Sequence, residues 1–144
     1  MSNNDITYAS IVPLIGGENL GIMDAMNGQL PEWVLSYSDF GANDSHFINY
    51  LRTEKNWDGE YAFLDEDSSK RKTVDIVNTV CPCAGLSSLS TTSGADSEVN
   101  EWMYRTAEYV LSEVRPEVFW GENAPRLFSK VGEKVAQRLH DIGK

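Results

Sequence analysis

Thr73-Val74-Asp75-Ile76-Val77-Asn78-Thr79-Val80 runs without a break into Cys81-Pro82-Cys83. The octapeptide is apolar and β-branched in the manner of a buried strand. The segment after the cysteines is its opposite. Ala84 to Asp96 is dominated by Gly, Ser and Thr, so backbone entropy is high and few side chains can anchor a core. The expectation is a strand that delivers a thiol to a mobile loop.

Working outward, strand-like and helix-like segments alternate. Tyr8 to Ile15 reads as a buried strand stopping at Gly16-Gly17, with a helix from about Glu18 to Asn27 that Pro31 closes off. Trp33 to Tyr37 reads as a second strand, and Asn43 or Asp44 is placed to cap a helix carrying Phe47, Ile48 and Leu51. Thr53 to Lys72 is polar apart from Tyr61 to Leu64, a short strand between loops. Beyond the cysteines, Glu98 to Val114 has apolar residues at helical spacing until Arg115-Pro116. Val118 to Trp120 is a strand candidate, and Arg126 to Ile142 predicts a last helix with Leu127, Val131, Val135 and Leu139 on one stripe.

This alternation predicts an α/β fold, a mostly parallel sheet with flanking helices, in one domain spanning residues 1–144. In such sheets ligands sit where loops leave the carboxyl ends of the strands. Here those loops begin at Gly16, Tyr37, Cys81 and Gly121.

Composition narrows the function classes. The formal charge of −10 opposes unaided binding to a polyanion, because nucleic-acid affinity depends on Lys and Arg displacing counterions. A DNA substrate would therefore need help from another surface. No apolar run approaches the roughly 18 residues of a membrane helix, and Met1-Ser2-Asn3-Asn4-Asp5 lacks the features of a signal peptide, so the expected setting is cytoplasmic with no membrane partner. Cys81 and Cys83 are too close for an ordinary disulfide framework, which fits a reducing compartment. Two thiols fall short of a four-ligand zinc site, and His46 and His140 stand in unrelated segments, so no metal is expected.

Two loops carry the chemistry. A thiol after a strand and before a flexible loop is free to reach a ligand, although both cysteines also read as small apolar core residues. In Trp120-Gly121-Glu122-Asn123-Ala124-Pro125-Arg126-Leu127 an acid directly follows an apolar strand and would share the thiol's rim. In a partly dry pocket such a carboxyl delivers a proton near neutral pH; its plainer reading is a solvated or helix-capping acid.

Together these stretches resemble a known family. Cys81-Pro82-Cys83-Ala84-Gly85-Leu86-Ser87 is similar to the Pro-Cys-Gln-Gly-Phe-Ser catalytic signature of DNA cytosine-5 methyltransferases, and Glu122-Asn123-Ala124-Pro125-Arg126-Leu127 to that family's Glu-Asn-Val signature. Asp75-Ile76-Val77 resembles the strand before the catalytic cysteine, and Leu111 to Phe119 the helix, Arg-Pro and strand approaching the glutamate. The likeness is strong from about Val74 to Leu127 and fainter upstream.

The resemblance implies a Rossmann-like S-adenosylmethionine-dependent methyltransferase fold, here incomplete, and methylation, or a related one-carbon transfer, at cytosine C5 of DNA. By that likeness Cys83 adds to C6 of a flipped-out cytosine and Glu122 assists at N3. Pro82, Ser87, Asn123 and Arg126 then lie at the substrate. Ile15, Gly16 and Gly17, with Tyr37, Asp39 and Asp65, correspond to the stretches that hold S-adenosylmethionine.

The departures from the family pattern also carry information. Val12 and Leu14 stand where the donor loop usually has phenylalanine and its first glycine, so a side chain at Leu14 is expected to crowd the donor. Tyr37 occupies the best-aligned position of the acid that grips the ribose. The family's target-recognition domain and final helix have no counterpart in the sequence, so double-stranded DNA is expected as a partner only with a C-terminal segment or complementary subunit. The competing reading is a catalytically inactive methyltransferase-like interaction module; a redox role for the two cysteines leaves Glu122 unexplained.

Overall fold

The computed structural model describes residues 6–80, 100–123, 125–130 and 132–144, and the side chains of residues 125 and 126 are left out of the description. Five strands form one all-parallel sheet: β1 (Tyr8–Ile11), β2 (Trp33–Ser36), β3 (Glu60–Phe63), β4 (Ile76–Val80) and β5 (Val118–Glu122), in the order β3-β2-β1-β4-β5. With helices α1 (Gly17–Ala25), α2 (Gly41–Glu54), α3 (Asn100–Tyr109) and α4 (Glu133–Ile142), this is an α/β layout consistent with a Rossmann-like fold.

Alternation along each strand supplies two cores. Tyr8 and Val34 pack with Met23 of α1 and Phe47, Ile48 and Leu51 of α2. Ala9, Ile11, Leu35 and Val77 face the other way, against Tyr109, Val110 and Val114 at the end of α3. Such two-sided burial is what an all-parallel sheet requires. α4 lies on α3 through Val135, Met103 and Tyr104.

The order of the strands reverses between β1 and β4, and a polar triangle sits at that point. Ser10 and Asn78 are register partners. The Ser10 hydroxyl donates to Asn78 Oδ1 at 2.5 Å, the Asn19 amide of α1 donates to Ser10 Oγ, and Asn78 Nδ2 donates to Asn19 Oδ1 at 3.3 Å. All three residues are fully buried. A closed ring of this kind satisfies its own polar groups and fixes α1 over one register.

Several boundaries differ from the sequence expectation. β1 ends at Ile11 rather than Ile15, because Val12 and Leu14 both turn to positive φ (53° and 54°) around Pro13. α2 begins at Gly41, after a 3-10 turn over Ser38–Phe40, so neither Asn43 nor Asp44 is its N-cap. β4 begins at Ile76 and not at Thr73. The last helix starts at Glu133, with a separate 3-10 turn over Pro125–Phe128 where the helix was expected to begin. α3 continues as a π-helical turn over Val110–Val114, which Arg115, the residue before Pro116, ends in the left-handed conformation.

Candidate functional site

Parallel strands present all their carboxyl ends at one edge, so Ile11, Ser36, Phe63, Val80 and Glu122 mark a common rim. β4 and β5 are neighbours, and their last residues, Val80 and Glu122, are register partners. Cys83 lies three residues beyond Val80 in the chain. It falls outside the described residues, as do Cys81, Pro82, Ser87 and the loop expected over Ala84 to Asp96.

Glu122 is exposed at the end of β5, so the described residues do not give its carboxyl the dry setting expected for it. Asn123 is half-buried, and its amide donates to Met103 Sδ at 3.7 Å, tying the loop after β5 to α3. The backbone of Arg126 lies in the 3-10 turn beyond it. Between this loop, α3 and α4 is a pocket of about 290 Å³ bordered by Thr79, Met103, Phe119, Glu122, Asn123 and Leu127. A larger groove of about 650 Å³ runs along α4 past Phe128 and His140, and Glu122 is not among its described lining residues.

The rim over β1 is built differently from expectation. Gly16 has φ 84°, and a Cβ there would lie inside the ring of Phe47, so only glycine fits. Gly17 opens α1 with open space where a Cβ would go, and Ile15 is 80% exposed. Leu14 is partly buried and packs against the core cluster that includes Tyr109 and Val110.

At the next strand, Tyr37 is fully buried, and its hydroxyl contacts Thr106 Oγ1 at 2.7 Å and donates to Trp102 O at 3.0 Å. The Tyr37 side chain is thus tied to α3. Asp39 and Asp65 are exposed. Asp65 accepts from the Ser38 amide at 2.9 Å and from the Ser38 hydroxyl. Partial burial pushes its carboxyl up, but these hydrogen bonds outweigh that effect and hold it below the usual value.

One group escaped the sequence reading. Asp44, on the first turn of α2, is fully buried and accepts the Leu14 amide at 2.8 Å. Its other oxygen, Oδ2, shares a dry pocket with the Ser36 and Tyr61 hydroxyls, none of the three in good hydrogen-bond geometry. Desolvation raises its pKa to about 6, although the Ser36 hydroxyl, the Leu14 amide and the Tyr61 hydroxyl all act to lower it. The only sequence signal was an acid near a helix start, which pointed to a cap.

No family model matches the chain, and no curated protein matches it. Among the described residues, no helix is long and apolar enough to cross a membrane.

Proposed function

We propose that this chain carries the cytosine-activating half of a DNA cytosine-5 methyltransferase-like catalytic domain. The observation that supports this most is the pairing of Val80 with Glu122 at the carboxyl edge of the sheet. Three residues of chain reach at most roughly 11 Å, which keeps the Cys83 backbone in the neighbourhood of Glu122.

On this reading the Cys83 thiolate forms a bond to C6 of a cytosine taken out of the stack, and Glu122 gives a proton or hydrogen bond to N3. The ring's aromaticity is then broken, and C5 becomes the nucleophilic end of an enamine. S-adenosylmethionine, when bound, would supply the methyl carbon to C5, its sulfonium carbon–sulfur bond breaking so that S-adenosylhomocysteine leaves. Loss of the C5 proton and expulsion of the Cys83 thiolate restore the ring. Asn123 holds the Glu122 loop against α3 throughout.

The donor's place is supported by the open backbone at Gly17 and by the exposed acids Asp39 and Asp65. The buried Tyr37 favours the second reading, an inactive interaction module, because no acid stands at the aligned ribose position. Trapping separates the two. Duplex DNA containing 5-fluorocytosine is incubated with the protein, its C-terminal complement and S-adenosylmethionine; with fluorine at C5 there is no proton to lose, so the Cys83 thioether persists. A DNA adduct on the peptide containing Cys83 is expected. An adduct that survives Cys83→Ala overturns the mechanism.

A further inference from the structure

Non-glycine residues avoid positive φ because the Cβ meets the backbone, and two in one short loop need an external restraint. Val12 and Leu14 are such a pair, at 53° and 54°, in the turn between β1 and α1. Val12 is held from within the sheet: it is fully buried, and its amide donates to Leu35 O at 2.8 Å. The Leu14 amide donates to Asp44 Oδ1 at 2.8 Å, and its side chain is anchored separately in the core under α3.

We infer that Asp44 is a positioning residue for the β1–α1 loop: its carboxyl, reaching across from α2, holds at position 14 a backbone turn that would otherwise call for glycine. The significance of that turn rests on the proposed donor site, since residues 14 to 17 form the backbone that a ligand over β1 would meet. The carboxyl is enclosed by Ser36 of β2, Tyr61 of β3 and the Leu14 amide. Arg52, in the last turn of α2, acts electrostatically on Tyr61. His46, the other titratable side chain on this turn of α2, is exposed.

The test is amide hydrogen exchange at Leu14, read against Val77 in β4, in the wild-type protein, Asp44→Asn and Asp44→Ala. Asn keeps an acceptor for the Leu14 amide, so Asp44→Asn should stay within about threefold of wild type, while Asp44→Ala should exchange at Leu14 at least about tenfold faster with Val77 unchanged. Equal protection of Leu14 in Asp44→Ala overturns the proposal. If Asp44→Ala does not fold, Asp44→Asn carries the test: the Leu14 amide shift should titrate with pH in wild type and not in Asp44→Asn, and a titration that persists in Asp44→Asn overturns the proposal.

Calorimetry with S-adenosylmethionine separates this inference from the reading beneath it. Absence of binding to the wild-type protein removes the donor site and leaves the Asp44 restraint standing on the exchange data. Binding that Asp44→Ala retains undiminished, with its Leu14 amide unprotected, removes the positioning role and leaves the donor site.

Discussion

Val80 and Glu122 lie side by side as the terminal register pair of two parallel strands, although 42 positions separate them in the sequence (122 − 80). Each strand therefore ends where the other ends, and the loops that leave them start from one place on the rim. A carboxyl that assists proton transfer typically contributes 10²- to 10⁴-fold, so Glu122→Gln should slow formation of the 5-fluorocytosine adduct by at least about 100-fold without changing the fold. Adduct rates by mass spectrometry, with circular dichroism for the fold, check it.

Asp44 makes stability depend on pH with a definite sign. Its folded pKa, about 6, is raised from the ordinary 3.8, so the folded chain holds the proton more tightly than the unfolded chain. The contribution is complete below about pH 4 and is lost as pH rises through 6. Two pKa units correspond to on the order of 3 kcal/mol. Urea unfolding from pH 4 to pH 8 should show this loss in the wild-type protein, and Asp44→Asn should flatten it and be the more stable protein at pH 8.

The polar triangle should be costly to break from one corner. Asn78→Ala strands the Ser10 hydroxyl and the Asn19 amide in a dry interior, so a loss of about 1–3 kcal/mol is expected in urea titration. Adding Ser10→Ala and Asn19→Leu to it should recover part of that loss, because fewer orphaned polar groups remain.

Gly16 and Gly17 should respond oppositely to alanine. Gly16→Ala places a Cβ in the Phe47 ring at positive φ, so it should destabilise by about 3 kcal/mol or more. Gly17→Ala meets nothing within 4 Å, so its unfolding midpoint should stay near wild type. If the donor lies over this backbone, the same substitution should weaken S-adenosylmethionine binding in calorimetry.

How much of the structure was legible in the sequence depends on which interactions are local. The apolar, β-branched runs at Tyr8, Trp33, Ile76 and Val118 report burial within a few residues, so these strands were found at nearly their places. The end of β1 was not, since Val12-Pro13-Leu14-Ile15 remains apolar while the backbone turns left-handed, a conformation imposed from the sheet and from α2. Tyr37 aligned with a ligand-binding acid, but which side of the chain it takes is decided by Trp102 and Thr106, more than sixty residues away. Asp44 was missed for the same reason: its partner is thirty positions upstream, and a first-turn acid ordinarily serves its own helix. Asn78, inside an apolar strand, was a readable sign of a buried polar contact, though not of its partners.

The joint action of Cys83 and Glu122 is tested most directly by hydrogen exchange at cytosine C5, which needs no methyl donor. Addition of the thiolate at C6 lets C5 take a solvent proton, and loss of the original hydrogen followed by expulsion of the thiolate returns cytosine. A single-stranded oligonucleotide carrying tritium at cytosine C5 avoids the energy of unstacking a paired base. The wild-type protein should release tritium to water, Cys83→Ala should release none above background, and Glu122→Gln should release it at least about 100-fold more slowly. Release that is the same in wild type and Cys83→Ala would contradict the account.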